Sequence, residues 1–299
     1  MSSCLSCGKR SKAVPEQGPV ALYDSLARFQ WWRRKLARTG PGLGLEMRKR
    51  LVSPQAEGPT DGCAGLDQWL LQQVDGHPRQ RILDLGCGFG ASLLRWMPPQ
   101  HTDGGHAFGI TPSAYQVRRA RQVANQMGAG GRCTFLQQAL DAELPEDLDV
   151  VLAIESLGHT ADLAKVLRQI RQSLQPGGIL VWLEDLLYEP RSSDPDVAAL
   201  ANSWSSPPLR DVSSVHQHLQ AAGLRVVTEW DLTPQVPRRS LAQIQRSHAA
   251  ATRWCKFTPL PFARRIAQAF VGGFMLEQLY ARGLTCYRVM LATPSDGSN

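Results

Sequence analysis

The chain has 299 residues, 43% of them hydrophobic, enough to bury the core of one large α/β domain or two small ones. No apolar run approaches the ~18 residues of a membrane span, the first residues lack the apolar centre of an export signal, and seven irregularly spaced cysteines make no disulfide framework, so a cytoplasmic location is expected. The net charge of +7 is uneven, with eleven Lys or Arg against three acids in residues 1–50 and 22 against 23 in the remainder. This puts the basicity in the N-terminal segment, where it suits an anionic substrate, an anionic membrane surface or nucleic acid, or simply a solvated arm.

Residues 1–19 are polar, with Gly, Pro and Ser, the composition of a disordered tail. Cys4 and Cys7 form a CxxC pair with no second pair or nearby histidine, so no metal site is expected. Between Val20 and Arg38, Leu22, Leu26, Phe29, Trp32 and Leu36 recur at helical spacing, which predicts an amphipathic helix lying over something apolar. A second helix over Leu66 to Val74 completes a helical cap spanning residues 20–75. Ile82 to Leu85 then reads as a buried strand, Gly86-Cys87-Gly88-Phe89-Gly90 as a tight turn, and Ala91 onward as a helix. Strand, glycine loop and helix start together offer a ligand bare backbone. Asp84, two positions before the first glycine, suits a cationic or amine-bearing ligand end, and the spacing differs from the G-x-G-x-x-G of pyrophosphate-binding loops.

Ala107 to Ile110 is a second strand. Thr111 caps the helix that follows it to Met127, and Pro112 fits that helix's first turn. Thr111 also stands where nucleotide-binding folds carry a ribose-holding acid. Arg132 to Leu136 is a third strand, running into Gln138-Ala139. Asp149 to Ile154 is a strongly apolar fourth strand ending in Glu155-Ser156-Leu157-Gly158-His159. Read as a helical turn, that stretch puts Glu155 and His159 on one face, at a strand end of the kind that borders a ligand crevice. A helix over 161–174, the turn Gln175-Pro176-Gly177-Gly178 and a fifth strand, Ile179 to Leu183, follow, with Glu184 and Asp185 at the strand's exit. Residues 189–208 are irregular and read as a substrate-side lid. Helices over 212–222, 241–252 and 261–281 alternate with strands over 224–230 and 285–292, and His216 and His218 read as surface residues. Trp32, Trp204 and Phe274 are candidates for an apolar or cation-holding wall, or for plain core. The order predicts a Rossmann-like α/β domain over 76–299: a seven-stranded, mostly parallel sheet whose last strand is antiparallel, helices on both faces, and insertions around 186–222 and 233–282.

Several of these motifs resemble one family. Asp84-x-Gly86-x-Gly88-x-Gly90 looks like motif I of the class I S-adenosylmethionine-dependent methyltransferases, and the Pro176-Gly177-Gly178 turn is common among them. Gly109-Ile110-Thr111-x-Ser113-x-x-Gln116 is similar to the sterol, tocopherol and cyclopropane-synthase-like branch, where the Thr and Gln contact the cofactor. Glu155-Ser156-x-x-His159 resembles both deoxysugar O-methyltransferases and lipid or isoprenoid C-methylating enzymes, and Tyr23-Asp24 resembles a pair near the start of several of them. The resemblance covers roughly residues 66 to 292. It implies S-adenosyl-L-methionine as cofactor, met by Asp84, Gly86, Cys87, Gly88, Gly90, Thr111, Pro112, Gln116 and Glu155, with Gln138 and Ala139 in place of the usual adenine-binding Asp-Ala. It implies Glu155, His159 and Glu184 as the catalytic groups. The Asn/Asp-Pro-Pro-aromatic run of base-methylating enzymes is absent, so the expected acceptor is a small apolar metabolite, isoprenoid or lipid-like, with methylation at carbon favoured and no nucleic acid. At most peripheral membrane contact is expected, and the oligomeric state is left open. Methylation of a sugar or polyketide oxygen stays open, as does non-catalytic binding of the cofactor or of nucleic acid.

Overall fold

The structure is a computed structural model and describes residues 19–36, 48–52, 59, 62–97, 105–191 and 193–295. Cys4 and Cys7 lie outside these residues. Seven strands, β1 (Arg81–Leu85), β2 (His106–Thr111), β3 (Cys133–Gln137), β4 (Leu148–Ile154), β5 (Leu174–Leu187), β6 (Leu224–Asp231) and β7 (Thr285–Pro294), form one sheet in the order β3-β2-β1-β4-β5-β7-β6. Only β7 runs antiparallel to its neighbours, β5 and β6. Nine helices accompany them among the described residues: α1 (Pro19–Leu36), α2 (Gly62–Gln73), α3 (Ala91–Trp96), α4 (Ala114–Gln126), α5 (Leu163–Ser173), α6 (Pro195–Trp204), α7 (Val212–Ala221), α8 (Leu241–Phe257) and α9 (Pro261–Ala281).

The strands are apolar on both sides because helices cover both faces. Along β1 the side chains alternate. Ile82 joins Leu70 of α2, Trp96 of α3 and Leu279 of α9 on one face, and Leu83 and Leu85 join Leu167 of α5 and Leu219 of α7 on the other. Each such aliphatic side chain, wholly withdrawn from water, stabilises the fold by roughly 1.5–3 kcal/mol. α2 therefore belongs to the core under the sheet, whereas α1 lies over the site with Leu22, Tyr23, Leu26 and Gln30.

Several local expectations change. β5 is longer than predicted: Leu174 pairs with Leu148, the Pro176-Gly177-Gly178 segment loops out, and pairing resumes at Ile179 opposite Val150 and runs to Leu187. Glu184 and Asp185 are thus inside the sheet, opposite Arg288 and Tyr287, and not at a strand exit. Residues 195–204, read as irregular, form α6, with Asp194 as its cap and Pro195 at its first turn. The cap of α4 is Ser113, whose hydroxyl accepts from the Gln116 N–H at 3.0 Å. Thr111 remains in β2. His216 is not free at the surface but pairs with Glu229 at 2.9 Å.

Candidate active site

The chain reverses direction across the sheet between β1 and β4, and the crevice at the carboxyl ends of these strands is where open α/β sheets hold ligands. A cavity of about 350 Å³ lies there, and most of the residues singled out from the sequence reach it. The loop after β1 is held tightly: the Gly86 and Cys87 N–H groups both donate to the Ile110 carbonyl at 2.9 Å. Gly86 has φ of +99°, and a Cβ there would stand 2.4 Å from that of Ser156. Gly88 has φ of +54° with open space above it, so a ligand can lie against its backbone. Gly90 serves packing instead, since a Cβ would meet the Phe135 ring at 2.6 Å. It does not border the cavity.

Asp84 is buried at the floor. Burial, with Asp67 nearby, pushes its carboxyl up to about 7, against the pull of Arg48. Arg48 was not found from sequence. It is buried, bonds Asp67 at 2.7 Å and the Cys63 carbonyl at 2.7 Å through one nitrogen, and leaves Nε and Nη1 without a partner among the described residues. Across the cavity the Thr111 hydroxyl donates to Gln116 Oε1 at 2.5 Å, and both residues and Pro112 lie in the wall. Gln138 and Ala139 do not. The Gln138 amide donates to the Glu143 carbonyl at 2.9 Å, and Leu140 occupies the wall in their place.

The other end gathers most of the buried ionisable groups. Glu155 sits just past the tip of β4 in the left-handed region, φ +48°, at a backbone cost of about 1–3 kcal/mol. It is not the start of a helical turn, as predicted. The turn is 3₁₀ and covers only Leu157–His159. Glu155 Oε1 accepts from the Lys49 N–H at 3.1 Å and the Tyr287 hydroxyl at 2.6 Å. The Lys49 ammonium pairs with Asp185, stands 3.8 Å from Glu155 and lies over the Tyr287 ring. Burial alone would lower the Lys49 ammonium, but Asp185 and Glu155 together hold it above its ordinary value.

His159 bonds the Tyr23 hydroxyl of α1, 2.9 Å from Nδ1, and packs edge-on to Trp204. Burial brings its imidazole down to about 4, more than Glu155 restores, so the ring is neutral near pH 7. Glu184 accepts from the Gly158 N–H at 2.8 Å. Burial, with Asp185 and Glu155 close by, pushes it up to about 8, so it holds its proton near pH 7. Asp24, next to Tyr23, bonds the Ser113 hydroxyl, so α1 is fastened to both halves of the crevice. Tyr23-Asp24 was visible in the sequence. Lys49, Tyr280 and Tyr287, remote in the chain and set in no motif, were not. Of the three aromatics considered, Trp204 lines the cavity, Trp32 is exposed, and Phe274 stacks on Phe270 beneath Arg239.

A second cavity of about 790 Å³ adjoins the first and shares Arg48, Glu155, Trp204 and Phe270 with it. Val236, Ile244 and Leu276 give it apolar walls, and Arg50, Arg238 and Arg239 stand among its cations.

Comparison with known proteins gives a consistent picture. The family described as "Methyltransferase domain" matches residues 83–180. Cycloartenol-C-24-methyltransferase 1 of Oryza sativa subsp. japonica is 27% identical over 184 residues, 57% of this chain and 51% of that protein. O-methyltransferase rstn1 of Aspergillus nomiae is 30% identical over 156 residues, 51% of this chain and 68% of that protein. The chain spans about half the length of the first of these relatives. Among solved structures, the [4+2]-cyclase SpnF superimposes with a TM-score of 0.68 at 19% identity, covering 93% of this chain and 95% of that one. A geranyl diphosphate methyltransferase in complex with GPP and sinefungin gives 0.62 at 18% identity, covering 91% and 98%. At such identities the structural likeness speaks for the fold.

Proposed function

This chain belongs to the class I S-adenosylmethionine-dependent methyltransferases, and from that premise we propose that it methylates a small, apolar acceptor at carbon. The cofactor of the family is S-adenosyl-L-methionine, which when bound supplies an electrophilic methyl group on a sulfonium. The residues fit it. Gly88 leaves the loop backbone open, the buried Ser156 hydroxyl beside Gly86 has no partner among the described residues, and Asp84 and the open edge of Arg48 are an acid and a cation side by side. That pair matches the ammonium and carboxylate of an amino acid end. Thr111, Pro112, Gln116 and Leu140 bound the rest of the cofactor's space.

The observation that carries carbon methylation is the Glu155 carboxylate. A strained backbone, the Lys49 N–H and the Tyr287 hydroxyl aim it into the cavity, whose wall carries Leu200, Trp204, Leu209 and Phe270 as well as His159, Glu184 and Asp185. Methylating an alkene leaves a positive charge on the acceptor. A carboxylate held beside apolar walls stabilises that charge and takes the proton lost from the adjacent carbon, restoring the double bond. Glu184, protonated, adds no competing negative charge and keeps the Gly158 turn in place. The second cavity supports an acceptor with an anionic end, such as an isoprenoid diphosphate. Arg50, Arg238 and Arg239 would meet the anion while the apolar body reaches past Phe270 toward Glu155. The similarly folded geranyl diphosphate methyltransferase in complex with GPP is what suggests such an acceptor.

His159 favours a second reading, methylation at oxygen. A neutral imidazole bonded to the Tyr23 hydroxyl is able to take a proton from an alcohol, and the Aspergillus relative is named an O-methyltransferase. Two variants separate the readings when products from labelled cofactor are identified by mass spectrometry and NMR. For carbon methylation, Glu155→Gln lowers turnover by about 10²-fold or more with S-adenosylhomocysteine affinity retained, and His159→Ala costs much less. The reverse ranking assigns the chemistry to oxygen and overturns the carbon reading.

A further inference from the structure

The overall charge balance of residues 51–299 hides a local extreme. Residues 232–276 hold seven Lys or Arg and not one Asp or Glu. They run from a 3₁₀ turn at Thr233–Gln235 into the hairpin of α8 and α9, joined by Thr258 to Leu260. Only Ile244 and Ala251 of the seventeen residues of α8 are buried. At the hairpin's tip the exposed side chains are large and apolar: Phe257 is 73% exposed, Leu260 64%, and Phe262 and Trp254 are exposed beside them. Arg253, Lys256, Arg264 and Arg265 surround them, all exposed, and the Lys256 ammonium lies 5.6 Å from the centre of the Phe257 ring.

We propose that this tip docks on an anionic lipid bilayer, with Phe257, Leu260 and Phe262 entering the interface and the four cations meeting lipid headgroups. Exposed apolar side chains at a hairpin tip, collared by cations in a segment free of acids, are the pattern of interfacial membrane attachment. Long Lys and Arg side chains can reach headgroups while the rings between them leave water. A protein-binding groove would be concave and would carry hydrogen-bonding groups of both kinds. Attachment here would also open a route inward. Trp254 packs on Phe270 at 6.2 Å between ring centres, and Phe270 borders both cavities. The docking stands on the tip alone, whatever the acceptor proves to be.

The test is co-sedimentation of the full chain with vesicles of phosphatidylcholine and with vesicles of phosphatidylcholine and phosphatidylglycerol in equal parts. Binding to the anionic vesicles is expected, weakened by salt. Replacing all three tip residues (Phe257→Ser, Leu260→Ser, Phe262→Ser) should weaken it about tenfold or more. Arg264→Gln with Arg265→Gln should weaken it too, while Lys9→Gln, Arg10→Gln and Lys12→Gln should leave most of it. The tip residues are exposed, so folding of the variants is expected and is checked by circular dichroism. Absence of binding to anionic vesicles overturns the proposal. So does binding that survives the tip changes, or that is lost with Lys9, Arg10 and Lys12. A concentration-dependent dimer that the tip changes abolish would assign the surface to a second copy and overturn it as well.

Discussion

The three glycines of the loop after β1 look equivalent in the sequence and have different roles in the structure. Gly88 faces open space and Gly90 backs onto Phe135, while Gly86 is wedged against Ser156. Two single substitutions separate the roles. Gly88→Ala adds a methyl group to the open space proposed for the cofactor, so it should cost folding only about 1–2 kcal/mol for the left-handed backbone while sharply weakening S-adenosylhomocysteine. Gly90→Ala adds overpacking against Phe135 to the same backbone cost. It should destabilise by about 2–4 kcal/mol while leaving affinity in the folded fraction close to that of the parent. Thermal melts and calorimetric titration of the two variants read both quantities, and the opposite pattern would refute the division of roles. Sequence spacing cannot see this distinction, because it depends on which distant side chain, Phe135 or Ser156, the fold brings to each α-carbon. For the same reason Glu155 and His159 were legible as a pair at a strand end, but Lys49 and Tyr287 were not. Their approach to Glu155 crosses more than a hundred residues of chain.

At the level of elements, strands were read more surely than their ends. The apolar runs of β1, β2 and β4 fall where hydrophobicity puts them. The continuation of β5 through Glu184 and Asp185 was hidden, because two acids in a row resemble a strand exit. They are tolerated because Asp185 is paired with Lys49 and Tyr280, and Glu184 accepts from Gly158. The helix α6 was missed because prolines and serines around it suggest a loop, although Asp194-Pro195 is a helix start. α1, read as an amphipathic cap, fastens the site through two neighbouring polar residues. Tyr23→Phe removes the hydroxyl that His159 bonds and should lower turnover by about fivefold to tenfold, the value of one buried hydrogen bond, with little change in cofactor affinity. Steady-state kinetics with the identified acceptor checks it. Unchanged turnover would mean that α1 only covers the cavity.

For the molecule as a whole, the buried ionisable groups set a pH dependence. Glu184 and Asp84 have folded values of about 8 and about 7, above the ordinary 4.5 and 3.8, so the folded state holds protons that the unfolded chain releases. Their contribution to stability is complete at low pH and lost as pH rises through 7 and 8. His159 has the opposite sign: its folded value of about 4 lies below the ordinary 6.5, so its contribution is present above 6.5 and lost as pH falls toward 4. The free protein should therefore melt at a higher temperature at about pH 6 than at about pH 9. Bound cofactor should narrow the gap, because an ammonium beside Asp84 makes its ionised form the favoured one. A melting temperature that rises from pH 6 to pH 9 would contradict this distribution of protons. A seven-stranded, mostly parallel sheet with an antiparallel last strand was legible from the alternation of strands and helices, while the order of the strands came only from the structure. The acid-free block at 232–276 was equally present in the sequence, but the balance of 22 bases against 23 acids beyond residue 50 concealed it. Only the fold turns that block into one exposed hairpin.

The central claim is that the amino acid end of the methyl donor sits against Asp84, and calorimetric titration with S-adenosylhomocysteine tests it most directly. The account predicts binding at a single site, strengthening about tenfold between about pH 6 and about pH 8 as Asp84 ionises, and a weak, pH-independent response in Asp84→Asn. No binding at either pH, or an Asp84→Asn variant that binds as the parent does, would contradict it.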